Sequence, residues 1–153
     1  MISCNEVTYL TQDEKKEIED TIQQVLNNSY SDIKVHGLTA EFKYLDSSNE
    51  FFWVPPGYSR PLSYDSVAAV LNRSAPALKA VENTFDTLHI IPLSRSIAIY
   101  TARIHSIVTD TQNQVTITNL VETGVLIKRP DGWKLHNGQT AIIDDRGNTG
   151  NNP

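Results

Sequence analysis

The chain has 153 residues, a net charge of −5 at neutral pH and 39% hydrophobic residues. This length fits one domain of ordinary size, and the negative charge argues against a nucleic-acid partner or an anionic-membrane surface. The single cysteine, Cys4, excludes an intrachain disulfide and a cysteine-based zinc site. No apolar run approaches the ~20 residues that a membrane span requires, so we expect no membrane span.

The first part of the chain predicts helices. Thr11-Gln12-Asp13-Glu14 has the form of a capping box, and apolar residues recur after it with helical spacing. This pattern predicts a helix over residues 12–35, which Gly37 would end. A short second helix is predicted over 38–45, and a third over 64–79, which Pro76 should break or kink near residue 74.

Strands dominate the rest. The aromatic run at 50–54 predicts a strand with a short partner at 58–62, and four long runs with two-residue alternation follow at 80–93, 96–109, 115–128 and 132–143. Antiparallel strands of ~12 residues must twist and curl around something. We therefore predict an α+β fold, a cone-shaped curved antiparallel sheet packed on three N-terminal helices.

Three segments follow from this organisation: an N-terminal extension over 1–10, one domain over 11–143, and a disordered polar tail over 144–153. The chain as given has no apolar signal region, so a cytoplasmic protein is expected. Met1-Ile2-Ser3-Cys4 weakly resembles the end of a lipoprotein cleavage site, so a precursor trimmed near Cys4 is the alternative.

The order of these elements resembles the nuclear transport factor 2-like superfamily, in particular its SnoaL-like branch. The resemblance rests on the Phe42–Asp46 end of the second helix, on an aromatic strand that runs into Pro55-Pro56-Gly57, and on the closing Gly132-Trp133-Lys134-Leu135. It implies a cystatin-like fold, a pocket in the cone between sheet and helices, and a homodimer formed through the outer face of the sheet. The superfamily contains isomerases, cyclases and dehydratases as well as non-catalytic domains, so the fold does not decide the function.

Resemblance to the ketosteroid isomerase-like members implies three catalytic positions, and none is cleanly kept. The base would lie immediately before Pro-x-Gly, where this chain has Val54. The oxyanion-binding acid would lie near residues 123–125, where Glu122 is the nearest acid, and the oxyanion-binding tyrosine would align with Val25, one turn before Tyr30.

Many SnoaL-like relatives carry His-x-His on the last strand, where this chain has Asn137 and Gln139. By strand alternation both should share the face of Trp133 and line the pocket. Amides bind carbonyl or hydroxyl groups but are not bases near neutral pH. The alternative is that both amides only satisfy neighbouring backbone or a buried water.

Several other residues are candidates. Glu122 interrupts an apolar strand and is either a pocket acid or base, or a cross-strand ion pair with Arg103 or Lys128. Asp46 is either a local cap or a base. The other residues expected to form the pocket wall and rim are Trp53, Val54, Tyr58, Arg60, Tyr100 and Trp133. Arg60 could bind an anion or be a solvated loop residue.

The histidines give no metal site. On the predicted strands His105 and His136 fall on outward faces and the side of His89 is ambiguous, so they should not converge. Neither a metal nor a cofactor is expected.

Three functional hypotheses remain. The first is a non-catalytic, homodimeric domain that binds a small, mostly apolar molecule. The second is an isomerase, cyclase or dehydratase that uses Glu122 or Asp46 as base with Tyr30 as acid or oxyanion donor. The third is a dimerisation module whose pocket is filled by its own side chains. The direction of the Glu122 side chain should distinguish the first two.

Overall fold

A computed structural model describes residues 9–143 of the chain. Cys4 and the predicted tail at 144–153 lie outside the described residues. The elements in chain order are α1 (Gln12–His36), a 3₁₀ helix (Leu38–Tyr44), β1 (Phe52–Val54), α2 (Tyr64–Ser74), a 3₁₀ turn (Ala75–Ala77), β2 (Leu78–Pro92), β3 (Ile97–Asp110), β4 (Val115–Arg129) and β5 (Gly132–Ile142).

Both ends of α1 follow from the sequence. The Thr11 hydroxyl accepts a hydrogen bond from the Glu14 amide, and the Glu14 carboxylate accepts one from the Thr11 amide at 2.8 Å. Two unpaired amides of the first turn are thereby satisfied, as the capping box predicts. The helix ends at Gly37, whose φ of 86° suits glycine better than other residues.

The predicted third helix stops at Ser74, before Pro76, because proline cannot donate to the preceding turn. The predicted partner strand at 58–62 is smaller than expected. Only Leu62 pairs, through two backbone hydrogen bonds with Trp53.

The five strands form one sheet in the order β1-β5-β4-β3-β2. The four long strands are antiparallel neighbours, whereas β1 pairs with β5 in parallel, with Trp53 opposite Gly138. Three helices pack on one face of this curved sheet, which confirms the predicted α+β fold. In the described part of the chain, no helix is long and apolar enough to cross a membrane.

The core lies between the helices and the inner face of the sheet. Ile22, Leu26 and Ile33 form the buried face of α1, and Ile104 and Leu126 are almost fully buried on the sheet. Burying one such side chain contributes roughly 1.5–3 kcal/mol. The core therefore fixes the position of α1 over β2 and orients the side chains that face the cone.

Candidate functional site

Glu122 projects from β4 into the cone. It pairs with Ala102 of β3 and Thr140 of β5, and both neighbours are buried on the inner face of the sheet. The Tyr100 hydroxyl donates to one Glu122 carboxylate oxygen at 2.5 Å, and the Thr140 hydroxyl donates to the other at 2.7 Å. The interpretation of Glu122 as a cross-strand ion pair is therefore wrong.

Glu41 and Tyr30 belong to the same interior region. Glu41 lies in the 3₁₀ helix and Tyr30 on α1, where its ring stacks on Phe85 with centroids 4.6 Å apart. Among residues 9–143, neither the Glu41 carboxyl nor the Tyr30 hydroxyl has a hydrogen-bond partner. Both side chains are partly buried and keep some accessible surface.

The pKa values of Glu41, Glu122 and Tyr30 are all raised, in each case first by burial. Burial raises the pKa of Glu41 to about 7, and the charge of Glu122 adds to the shift. Burial also raises the pKa of Glu122, while the hydrogen bonds from Tyr100 and Thr140 act in the opposite direction. The pKa of Tyr30 is raised by burial and then by the charges of Glu122 and Glu41, so Tyr30 is protonated at neutral pH.

The Trp53 side chain lies beside Thr140, a hydrogen-bond partner of Glu122. Its indole Nε1 donates to Thr140 Oγ1 at 3.1 Å, and its ring lies against Gly124 and Gly138. A Cβ atom at Gly138 would lie 2.5 Å from two atoms of the Trp53 ring, and one at Gly124 would lie 2.7 Å from the Tyr100 ring. Only glycine leaves room for both rings at these positions.

Asp46 has a different environment. Arg129 donates to both Asp46 oxygens, at 3.0 and 2.8 Å, and Ser48 and His136 Nδ1 contact Oδ2 at 2.7 and 2.6 Å. These contacts, led by the hydrogen bonds from Arg129, hold the pKa of Asp46 well below its usual range. A carboxylate bound in this way is a poor base, and its contacts tie the 3₁₀ helix to the end of the sheet.

Asn137 and Gln139 do not share the face of Trp133, so that prediction is wrong. Val125 pairs with Asn137 and the next residue of β4, Leu126, pairs with Leu135, which leaves His136 as an extra residue in β5. One extra residue reverses the alternation that follows it. Trp133 is consequently buried, whereas the two amides line the outer face.

The outer face carries an apolar groove of about 500 Å³ that runs across all five strands. Val54 and Phe52 line it at one edge, His89 and Ile91 at the other. His89 therefore points outward, since an irregularity between Phe85 and Thr87 changes the face of β2.

The other predicted site residues lie outside both the cone and the groove on the outer face. Tyr58 and Arg60 are exposed in the segment after β1, and Trp133 is part of the core. His105 contacts Asn119 at 3.1 Å, and His136 contacts Asp46. The structure thus brings together Tyr30, Trp53, Tyr100 and Glu122 from the predicted set.

Two residues of this group were not predicted. Glu41 stands in a short helix whose sequence shows only a polar position beside Phe42, and Thr140 stands in a strand with other polar residues. Thr140 could have been found from its position in the strand. It follows Gly138 by two residues, and this spacing places both residues on the same face of the sheet.

No model of a known protein family matches the sequence, and no curated protein does either. Solved structures do match. An NTF2-like superfamily protein from Salmonella enterica subsp. enterica serovar Typhimurium str. LT2 has a TM-score of 0.71 and 16% identity, over 90% of this chain and 99% of that one. An uncharacterized protein with a cystatin-like fold from Caulobacter vibrioides has a TM-score of 0.66 and 11% identity, over 84% and 92% of the two chains.

A third match is the hexachlorocyclohexane dehydrochlorinase LinA-type3 from Novosphingobium barchaimii LL02, with a TM-score of 0.68 and 11% identity, over 94% of this chain and 100% of that one. The chain therefore has a cystatin-like fold, which its sequence suggests and which it shares with these solved structures. The TM-scores establish the fold, while the low sequence identities leave the function to be argued from the side chains of the site.

Proposed function

We propose that the cone binds a small, mostly apolar molecule and moves a proton on it, as an isomerase, cyclase or dehydratase does. One observation carries this proposal: the Glu41 carboxyl and the Tyr30 hydroxyl have no hydrogen-bond partner among the described residues, yet both interact electrostatically with Glu122 inside the fold. Both side chains are partly buried, and polar groups in such positions commonly have a protein partner or bond to water. Groups left without one are available to a ligand.

The chemistry of the three groups supports acid–base catalysis. A general base works best when its pKa is near the working pH, and burial raises the pKa of Glu41 to about 7. Tyr30 stays protonated and can donate to an oxygen on which charge develops. Tyr100 donates to Glu122 and is therefore less available to a ligand. Glu41 is accordingly the proposed base or acid, and Tyr30 the proposed oxyanion donor.

The structural neighbours are compatible with this chemistry. The name of the LinA-type3 protein describes a dehydrochlorinase, an enzyme that removes hydrogen chloride from its substrate. In a base-promoted elimination of this kind a base takes a proton from one carbon, the C–H bond electrons form a double bond, and chloride leaves the adjacent carbon. Proton removal from carbon is the step proposed for Glu41. The binding-only function that the sequence favours would place the ligand in the same cone without this step.

The test uses 5-nitrobenzisoxazole, an uncharged aromatic probe. When a base takes its C3 proton, the C3–H bond electrons form the nitrile and the N–O bond breaks, which gives the coloured 2-cyano-4-nitrophenolate. We expect turnover that rises with pH through about 7, because only ionised Glu41 accepts the proton. Glu41→Gln should abolish this turnover, and Glu17→Gln, on the exposed side of α1, should leave it unchanged.

Tyr30→Phe separates binding from chemistry. It keeps the stack on Phe85 and removes only the hydroxyl. We expect a lower kcat with a similar KM. If wild type and Glu41→Gln turn the probe over equally at every pH, while binding of the probe to the cone is seen by NMR, the catalytic proposal is wrong and the binding-only function stands.

The outer face of the sheet supports a homodimer. It exposes Phe52, Ile91, Ile117 and Val121 by 45%, 55%, 63% and 40%, and the groove lies among them. Contiguous apolar surface of this kind marks an association site. Ile91→Arg should therefore shift the sedimentation coefficient to that of a monomer.

The matched control for the dimer is Val35→Arg. Val35 is 71% exposed on α1, on the opposite layer of the fold, so a charge there should leave the association unchanged. A wild-type chain that sediments as a monomer at high micromolar concentration would contradict the dimer without affecting the proposal for the cone.

A further inference from the structure

Both oxygens of Glu122 are occupied by fixed donors. Tyr100 donates to one oxygen and Thr140 to the other. An indole N–H can only donate, so the bond from Trp53 Nε1 to Thr140 Oγ1 has one direction. Because Thr140 accepts from Trp53, its single hydroxyl proton is free to point at Glu122.

The two carboxyl groups of the cone therefore differ in their contacts. Glu122 accepts two hydrogen bonds, which favour its ionised form, whereas Glu41 accepts none from the described residues. Tyr30 from α1 and Tyr100 from β3 are the other titratable side chains in this network of interactions. Among the described residues, no lysine, arginine or histidine contributes to the pKa of either carboxyl group.

We infer that Trp53, Thr140 and Tyr100 are positioning residues that hold Glu122 as the ionised member of the pair and leave the exchangeable proton on Glu41. This inference rests on the proposed acid–base function of the cone. It divides the roles. Glu122 is a fixed negative charge that adds to the effect of burial in keeping the proton on Glu41 up to neutral pH, and Glu41 is the group that exchanges a proton with a ligand.

The sheet builds this arrangement from four strands, β1, β3, β4 and β5. Parallel pairing of β1 with β5 places Trp53 opposite Gly138, two residues before Thr140 on the same face. The absence of side chains at Gly124 and Gly138 lets the indole ring lie close to β4 and β5 and reach the threonine hydroxyl. The position of Glu122 therefore depends on backbone features that a larger residue would remove.

The experiment compares Thr140→Val with Thr140→Ser in protein labelled with ¹³C at the glutamate carboxyl carbons. Valine matches the shape of threonine and removes the donor to Glu122, while serine keeps it. The two signals are assigned from Glu41→Gln and Glu122→Gln. In wild type we expect Glu122 to titrate at the lower pH and Glu41 at the higher.

In Thr140→Val we expect the Glu122 midpoint to rise and the Glu41 midpoint to fall, each by at least about half a pH unit, a threefold change in proton affinity. Thr140→Ser should restore the wild-type order. Thr123→Val, on the outer face of the neighbouring strand, should change neither midpoint. If Thr140→Val does not fold, Trp53→Phe should give smaller shifts in the same directions.

The inference is overturned if Thr140→Val and wild type have the same two titration curves, or if Glu122 titrates at the higher pH in wild type. These readouts need no substrate. If wild type shows the expected titrations but does not turn the probe over, only the proposed catalytic function is contradicted. If wild type does turn the probe over and Thr140→Val leaves the pH profile of turnover unshifted, only this inference is contradicted.

Discussion

Replacing Asp46 with asparagine removes a buried charge and keeps the shape of the side chain. Asp46 has a side chain only 6% exposed, and it receives two hydrogen bonds from Arg129 and one from Ser48, and contacts His136. Asparagine offers one oxygen in place of two, so a donor on at least one side of the group loses its acceptor. A donor left facing the new NH₂ group also repels it.

The magnitude follows from these contacts. A hydrogen bond to a charged group contributes ~1.5–3 kcal/mol. Arg129 keeps 33% of its side-chain surface exposed, so water can replace part of what it loses. We expect Asp46→Asn to lower the free energy of unfolding by about 3 kcal/mol, and the melting temperature by roughly 6–12 °C at ~2–4 °C per kcal/mol.

Urea unfolding followed by the fluorescence of Trp53 and Trp133, both buried, would measure this loss. The control is Asp20→Asn, which breaks an exposed ion pair to Lys16 and should leave the midpoint unchanged. The reasoning is refuted if Asp46→Asn costs less than about 1 kcal/mol, within the range of an exposed ion pair.

The pH dependence of this difference has a defined sign. The pKa of Asp46 is lowered in the native state, mainly by its hydrogen bonds from Arg129. The native carboxylate therefore stabilises the fold fully above the unfolded-state pKa of ~4. As the pH falls below that value towards the native pKa, wild type should lose this contribution and approach Asp46→Asn.

Three further substitutions test the packing. Gly138→Ala would place a methyl group 2.5 Å from the Trp53 ring; we expect a loss of about 1–3 kcal/mol in urea unfolding and a red shift of the tryptophan emission, and unchanged emission would show that the ring need not move. Leu126→Ala empties a fully buried position and should cost about 2–5 kcal/mol in the same assay. Thr11→Ala removes the cap of α1 and should cost about 0.5–2 kcal/mol, which Thr11→Ser should restore.

The sequence predicts the fold well because its signals are local. The capping box at Thr11 fixes the start of α1, and the long alternating runs define four strands whose order in the sheet follows from short turns. The same alternation predicts the faces of β3 correctly, since Tyr100 and Ile104 point inward there. Each of these features depends on neighbouring residues along one element.

The site is less predictable because it depends on single irregularities and on convergence. His136 is one extra residue in β5, and it moves Asn137 and Gln139 from the predicted pocket to the outer groove. Glu41 and Glu122 are 81 residues apart in the chain, and no residue near Glu41 in the sequence indicates that it interacts electrostatically with another carboxyl group. The sequence indicates that the direction of the Glu122 side chain distinguishes a binding domain from an enzyme, but only the packed sheet determines that direction.

The final prediction concerns the stability cost of Glu41. Burial raises the pKa of this carboxyl from 4.5 to about 7, so between these values the native state binds a proton more tightly than the unfolded chain does. The sign is therefore opposite to that for Asp46: Glu41 causes stability to fall as the pH rises from about 5 to about 7. Each pKa unit corresponds to ~1.4 kcal/mol; because Glu41 keeps some contact with water, we expect about 2–3 kcal/mol in total.

Glu41→Gln removes this titration without changing the size of the side chain. Near pH 5 it should be about as stable as wild type, and near pH 8 more stable by about 2–3 kcal/mol, as measured by urea unfolding at each pH. Glu17→Gln, at an exposed position, should follow the wild-type curve throughout. If wild type and Glu41→Gln keep a constant difference across this range, the carboxyl is not held in a desolvated site. The expected result is that Glu41→Gln gains stability above neutral pH and loses turnover of the benzisoxazole probe. Ionised Glu41 would then both destabilise the fold and take part in the chemistry, as expected for a general base in a desolvated site.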